Sequence, residues 1–468
     1  MLEPLPSEPT IGVYALTYNH EDFIAEAIES VLAQGWPSDR LNFVLLDDGS
    51  TDATPERVKP YEKYLTYVRQ ENQGINAAAT RLVGLVEGDL LVPMSCDDAL
   101  APDRFERLLA YYGEHPDVGM TYGDMEAINA QSKVFVPSVL KATKNDPLEG
   151  QIAGRLLKGN FISGGSLALR GVLKQVILPM PAEVAWEDWW FAWALTNVAP
   201  VGFIDAVVYR YRQHSSNFML GIGTRSPDLS VKRMAAEIPF RRFLLGNARP
   251  GTCNALQLFE ATEALRAMAR GLTEKGVELE TLLPMTDGQK AVADRLAADA
   301  VALSARSPVL AAFAAARAIA ANPMHNGAFR TLHGLAGTPS THAPAFFDDV
   351  RSVTVFAEAE ELVSDPALLR AYAEAFGPDD DVTLIAIARE WDGNRLGAEL
   401  GPVFDRVMGE AAPDVLALPA DTAAWQAGLT QADCVLGGSE VPGVERFTEP
   451  GPLREYVELR RRLPRRRS

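Results

Sequence analysis

The sequence predicts an α/β protein: an open, doubly wound, Rossmann-like sheet in the N-terminal half, then a helical segment and a smaller α/β unit. Three observations carry this. Residues 11 to 94 alternate short β-rich runs with stretches whose apolar residues recur at helical spacing. The runs IGVYALTY, LNFVLLDDGS and DLLVPM are apolar on both faces, as strands covered by helices on both sides must be. Each leads into a polar cluster: LTYN, DDGS and SCDD. Ligands of such sheets bind beyond the carboxyl ends of the strands, so the clusters are expected along one edge.

The elements follow in order. After IGVYALTY, Asn19 is positioned to cap a helix over HEDFIAEAIESVLAQ, whose Phe23, Ile24, Ala27, Ile28, Val31 and Leu32 keep helical spacing. LNFVLLDDGS is the second strand. A further helix, the short strand LTYVRQ, a helix from about Gly74 and the strand DLLVPM complete the pattern. Pro93 cannot donate to a sheet ladder, so that strand is expected to bulge or end there. Residues 100–215 predict a helix near DRFERLLAYYG, a strand VGMTYGDMEAI and a short run SLALR. Residues 230–335 are rich in alanine and helix formers. HGLAGTPSTHAPAFF reads as a loop. Beyond it, VTVFAEA, VTLIAIA, VLALPA and CVLGG read as strands, with helical patterns inside the first two gaps. No glycine-rich phosphate loop follows any of them, so no cofactor is assigned there. The expected domains are 1–225, 226–340 and 341–468.

Composition narrows the function. The 468 residues are 47% hydrophobic and 23% charged. No run approaches the eighteen apolar residues of a membrane span, and MLEPLPSEPT lacks the regions of a signal peptide. Three scattered cysteines form no metal-type spacing, and a reduced, cytoplasmic protein is expected. A net charge of −18 argues against nucleic acid as a partner. It also opposes any anionic substrate, a difficulty that a metal ion resolves. The tail ELRRRLPRRRS carries six arginines. It reads either as a peripheral contact with anionic lipid headgroups or as a solvated terminus.

The adjacent carboxylates of SCDD, Asp97 and Asp98, are costly side by side at the end of a buried strand. Either they cap the helix that starts near Pro102, or a cation holds them. Five stretches bear on this choice: VYALTYNHEDFIAEAIESVLAQ, FVLLDDGSTDAT, RQENQGINAAATR, EGDLLVPMSCDD and WEDWWFAWAL. They fall in the order of glycosyltransferase family 2, and about residues 10–218 resemble that family. The resemblance implies a GT-A fold and an inverting, metal-dependent transfer of sugar from a nucleotide-diphosphate donor. The acceptor would be a hydroxyl of a glycan, a lipid-linked glycan or a protein glycan. The cofactor would be Mn2+ or Mg2+.

It also implies roles. Asp48 would bond the nucleotide base, within a donor set of Leu16, Tyr18, Asn19, Gly74, Arg81, Asp97, Gly165 and Arg212. Asp97 would lie near the ribose and Asp98 on the metal, with His214 completing the metal or diphosphate site and Arg212 steadying a phosphate. The family's usual first acidic position is Ser95 here. Asp188 would be the general base and Glu187 would orient the acceptor; the local alternative is charge stabilisation at a helix N-terminus. Asp48 or Ser50 could instead shape a turn. Gly164, Gly165 and Ser166 either border the donor or make a turn. Trp186, Trp189, Trp190 and Trp193 follow core-packing spacing, with Trp186 or Trp189 the candidates for stacking on a sugar. Two rivals remain. One is a nucleotide-sugar-binding protein without turnover, which Ser95 leaves open. The other is a sugar nucleotidyltransferase, whose expected basic, glycine-rich loop is missing from LTYNHEDF.

Overall fold

The computed structural model describes residues 2–214, 227–278, 285–337, 351, 353–408, 413–419, 425, 432, 434–437 and 446–462. The chain divides into two compact units, Met1–Arg233 and Met234–Ser468.

The first unit runs β1 (Ile11–Thr17), α1 (Ile24–Leu32), β2 (Leu41–Asp47), α2 (Thr54–Val58), β3 (Thr66–Arg69), α3 (Ile75–Leu85), β4 (Leu90–Ser95), β5 (Ala99–Leu100), α4 (Arg104–Glu114), β6 (Met120–Asn129) and β7 (Val134–Val136). It continues with α5 (Val139–Thr143), α6 (Ala153–Lys158), β8 (Ala168–Arg170), α7 (Lys174–Ile177), α8 (Glu187–Thr196) and β9 (Val201–Gln213). Among the described residues the sheet has nine strands in the order β3-β2-β1-β4-β8-β6-β9-β5, with β7 on β6. The β3-β2-β1-β4 half is parallel. β8 runs antiparallel to both β4 and β6. The register levels the strand ends: Thr17 pairs Asp47, and Leu16 pairs Ser95. The three polar clusters therefore share one edge, as expected.

α1 forms because its apolar residues recur every three to four positions. Ile24, Ala27, Ile28 and Val31 are fully buried against Val13, Phe43, Leu45 and Val92 of the sheet. Asn19 does not cap it. The helix begins five residues later, after Phe23. Asn19 instead takes a left-handed φ of +58° and ties the end of β1 to the DDGS turn. Nor does β4 stop at Pro93, which pairs Tyr14 within an unbroken register. The Leu90 N–H points to β1, at the Thr10 carbonyl, and the Ser95 N–H points the other way, to the Tyr209 hydroxyl. N–H groups alternate along a strand, so the missing donor of Pro93 falls on the Ser95 side. There β8 pairs only Leu90 and Leu91, and no ladder is broken.

In the second unit the alanine-rich stretch is helical: α9 (Pro227–Gly246, which begins before the division), α10 (Ala255–Glu274), α11 (Asp287–Leu303), α12 (Pro308–Ala321) and α13 (Asn326–Leu335). Reciprocal caps start α10 (Asn254, Gln257) and α11 (Thr286, Gln289). α12 is buried from Val309 to Ala320, which its small side chains permit. α13 takes up His333, Gly334 and Leu335, read above as loop; residues 338–347 of that stretch lie outside the described residues. Then come β10 (Val353–Glu358), β11 (Val382–Ile387), β12 (Asp414–Leu418), β13 (Cys434–Leu436) and β14 (Arg446–Phe447). They form a parallel sheet in the order β12-β11-β10-β13-β14, with the first strand central. Four of these strands are the predicted runs. β14, two residues long, is too short to leave a periodic signal. No helix among the described residues is long and apolar enough to cross a membrane. Arg460, Arg461 and Arg462 end the helix Pro450–Arg462, and Arg465, Arg466 and Arg467 lie outside the described residues.

Candidate active site

The edge above β1 and β2 is a network of carboxylates and backbone donors. Asp47 is fully buried. Its Oδ1 accepts the Ser50 N–H at 2.7 Å and its Oδ2 accepts the Tyr67 hydroxyl at 2.7 Å. It is committed to the DDGS turn. Asp48 accepts the Gln70 amide at 2.7 Å and the Gln73 N–H at 2.9 Å on Oδ1, and the Gly74 N–H at 3.0 Å on Oδ2. That uses three of about four acceptor positions of a carboxylate. Gly74, at φ +83°, turns the chain into α3 in a conformation that side-chain-bearing residues rarely adopt. Arg81 donates to the side-chain Oε1 of Gln70 at 2.7 Å. Around this anchored carboxylate, Tyr18, Asn19, Gly74 and Arg81 are exposed and Leu16 is half-buried.

The two aspartates of SCDD point to different environments. Asp98 faces inward, accepting the Arg212 N–H at 2.7 Å and the Tyr209 hydroxyl. Burial, then the charge of Asp97, raises its pKa well above the ordinary carboxyl value. Asp97 is nearer the surface. Ser95 Oγ donates to its Oδ1 at 2.5 Å, and His214 Nε2 lies 3.3 Å from its Oδ2. Burial pushes Asp97 up, but His214, the neighbouring His20 and Ser95 outweigh it, and its pKa is lowered. The two like charges are thus tolerated because the fold opposes ionisation of Asp98 and favours it at Asp97.

Among the described residues no three His, Cys, Asp or Glu side chains are grouped to hold a metal. The donor set present is Asp97 and His214, whose side chains keep 13% and 9% of their surface exposed. One carboxylate and one imidazole would suit a divalent ion at this edge. The inward turn of Asp98 leaves Asp97 as the carboxylate facing that position. Arg212 is not placed to meet a phosphate: its side chain is fully buried and donates to backbone and side-chain acceptors of the fold. Sequence reasoning missed His20, held 3.3 Å from the Thr17 hydroxyl with its pKa lowered chiefly by burial. Its signal was a histidine at the end of β1, beside strands that end in carboxylates.

Glu187 and Asp188 open α8, behind Trp186. Asp188 is half-buried and accepts the Trp189 N–H at 2.6 Å and the Gly164 N–H at 3.3 Å. Its pKa is pushed up to about 7, first by burial and then by the charge of Glu187. Burial raises Glu187 as well. The Gly164–Ser166 turn links this carboxyl to the SCDD loop. A Cβ on Gly165 would sit 2.1 Å from the Tyr209 ring, so the ring requires glycine there. The same Tyr209 bonds Asp98 and receives the Ser95 N–H. Arg104, fully buried, fixes the turn by donating to the Gly165 and Leu167 carbonyls at 2.5 and 2.6 Å. The glycines make a structural turn that lies beside Asp188 and Tyr209. Trp189, Trp190 and Trp193 are buried, with the Trp189 and Trp190 indoles bonded to the Leu156 and Ile177 carbonyls. They are core, and only Trp186 keeps appreciable exposed surface.

Residues 13–175 match the family model described as glycosyl transferase family 2. Residues 13–175 are a domain of this family. The mixed sheet with its parallel half agrees with the GT-A fold expected of this family. The family match contains Asp48, Asp97 and Asp98 and ends before Glu187, Asp188, Arg212 and His214. Among curated relatives, EpsH of Bacillus subtilis, named as a glycosyltransferase, is 26% identical over 231 residues, 45% of this chain and 63% of EpsH. An uncharacterized glycosyltransferase of Nostoc is 24% identical over 243 residues, 48% of this chain and 71% of its own. The chain therefore spans less than two thirds of EpsH. Among solved structures, residues 1–349 of S. aureus TarS with UDP-GlcNAc align at a TM-score of 0.42 and 19% identity, covering 67% of this chain and 89% of that one. The mannosyltransferase PcManGT of Pyrobaculum calidifontis, with GDP-Man and Mn2+, aligns at 0.39 and 18%, covering 68% and 88%.

Proposed function

We propose that this family 2 domain transfers a sugar from a nucleotide-diphosphate donor to an acceptor hydroxyl, with inversion and with a divalent metal bound. The observation that carries the reading is a carboxyl poised near pH 7, Asp188, joined through the Gly164–Ser166 turn and Tyr209 to the Asp97–Asp98 loop. The nucleotide lies over Leu16, Tyr18, Asn19, Gly74 and Arg81, with the remaining acceptor position of Asp48 open to a base N–H. Asp97 and His214 would hold Mn2+ or Mg2+, which would supply positive charge to offset that of the diphosphate. Asp188 takes the acceptor's hydroxyl proton while that oxygen bonds the anomeric carbon and the bond to the diphosphate breaks on the opposite face. Glu187 orients the acceptor, and Trp186 offers a face to a sugar ring. With its pKa pushed up to about 7, Asp188 titrates in the range in which a carboxylate can accept a proton and later release it. The acceptor is a glycan, free, lipid-linked or on a protein, and the site of action is cytoplasmic. Residues 1–225 carry the transfer, 226–340 are a helical connector, and 341–468 serve acceptor or partner binding.

The test is a panel of UDP-, GDP- and dTDP-sugars screened for thermal stabilisation with and without Mn2+. NMR of the product formed from the stabilising donor follows. Metal-dependent stabilisation and an inverted anomeric centre are expected. Retention of configuration, or stabilisation indifferent to metal, overturns the reading.

A further inference from the structure

Arg212 was expected at the phosphates and lies instead behind the metal-facing loop, where its bonds define a second role. Its side chain is fully buried. Its Nε donates to the Asp97 carbonyl at 2.7 Å and its own backbone N–H donates to Asp98 Oδ1 at 2.7 Å. One Nη reaches the Asn129 carbonyl at 3.1 Å and Ser132 Oγ at 2.9 Å; the other reaches Glu26 Oε2 at 2.7 Å. Ser132, at φ +59° in the turn between β6 and β7, closes the figure by donating its hydroxyl to the Glu26 carboxylate at 2.7 Å. The guanidinium also lies 5.0 Å from the Phe23 ring, and the His214 ring packs on that same ring at 4.7 Å. One arginine thus joins α1, the Asp97–Asp98 loop, the β6–β7 turn and, two residues on, His214.

We propose that Glu26, Arg212 and Ser132 form a clamp that positions Asp97 and His214 to receive the divalent metal; this rests on the metal reading above. The physical need is clear. The Asp97 carboxylate must be held facing His214 beside a second carboxyl, and a buried guanidinium behind both supplies positive charge and directed donors. That guanidinium in turn needs a carboxylate to compensate it, and Glu26 provides one from the half-exposed face of α1. Glu26, Arg212 and Ser132 are positioning residues and touch neither substrate nor metal. Loss of groups that orient metal ligands costs about 10- to 100-fold in metal affinity.

The test is a Mn2+ titration of the full chain, with Mn2+ alone as the probe and free Mn2+ read by electron paramagnetic resonance. Glu26→Ala is expected to weaken Mn2+ binding about 10- to 100-fold. Glu26→Gln, which keeps one acceptor oxygen for Arg212 but not the compensating charge, should recover only part of it, and Ser132→Ala should show a smaller loss than Glu26→Ala. The control is Glu29→Ala, on the same helix, which removes the 2.6 Å bond from Tyr61 and should leave Mn2+ affinity unchanged. Circular dichroism checks that each variant is folded, and Ser132→Ala carries the test if Glu26→Ala is not. Unchanged Mn2+ affinity in folded Glu26→Ala and Ser132→Ala overturns the clamp, as does an equal loss in Glu29→Ala. Absence of Mn2+ binding by the unmodified chain overturns the metal reading itself.

Discussion

Replacing Asp188 by asparagine separates what this carboxyl does for the reaction from what it costs the fold. In the folded protein its pKa is pushed up to about 7, against an ordinary 3.8. The folded state therefore holds the proton more tightly than the unfolded chain. Folding takes up a proton between these values, and stability falls as pH rises from about 4 to about 7. Above 7 both states are ionised and the whole penalty stands. At about 1.4 kcal/mol per pH unit the upper bound is about 4 kcal/mol. Asp188 keeps some exposed surface and shares its surroundings with Glu187, so the realised cost is on the order of 1–2 kcal/mol. Asparagine has one acceptor oxygen, which keeps the 2.6 Å bond from the Trp189 N–H and gives up the 3.3 Å bond from Gly164, and it never ionises. Urea denaturation should show Asp188→Asn gaining on the unmodified protein by about 1–2 kcal/mol between pH 5 and pH 8. The same variant should lose at least about a hundredfold in transfer, the usual scale for a general base. A stability difference that does not change with pH would refute the buried, titrating carboxyl. Near-normal transfer, with Glu187→Gln inactive, would move the base to Glu187.

Three further outcomes follow from the geometry. Gly165→Ala puts a methyl 2.1 Å from the Tyr209 ring and should lower stability by about 1–3 kcal/mol in urea denaturation, weakening metal-dependent donor binding with it. Asp48→Ala strands the Gln73 and Gly74 N–H groups and should raise the donor KM at least about tenfold, with stability down by about 2 kcal/mol; unchanged donor affinity would mean that the nucleotide lies elsewhere. Tyr372→Phe in the second unit removes a hydroxyl bonded to the Asp414 carbonyl at 2.9 Å. It should cost about 1 kcal/mol in denaturation and leave nucleotide binding unchanged.

What the sequence made legible is what local pattern controls. The runs that became β1, β2 and β4 are apolar on both faces, and that suffices to place them inside a covered sheet with their polar ends level. The roles within the edge were less legible, because contacts far apart in sequence decide them. Asp97 and Asp98 are adjacent and chemically alike; Arg212 and Tyr209, more than a hundred residues on, turn one inward and leave the other facing His214. Arg212 reads as a phosphate ligand until Glu26, 186 residues away, is seen beside it. Gly165 is glycine because the Tyr209 ring lies on it, which no local spacing reveals. Asn19 had the chemistry of a cap, but Ser50 and Thr51 across the edge bond it instead. Asp188 was legible as a candidate base from its motif, whereas its raised pKa depends on burial that only the packed α8 creates.

The most direct measurement of the central claim follows one nucleotide sugar through binding and consumption, in the unmodified chain and in Asp188→Asn, with Mn2+ and with a chelator. Both proteins should bind the donor when Mn2+ is present, neither should bind it well under chelation, and only the unmodified chain should consume it in transfer to an acceptor. Binding without consumption by the unmodified chain would make it a nucleotide-sugar-binding protein, and equal consumption by Asp188→Asn would contradict the assignment of the base.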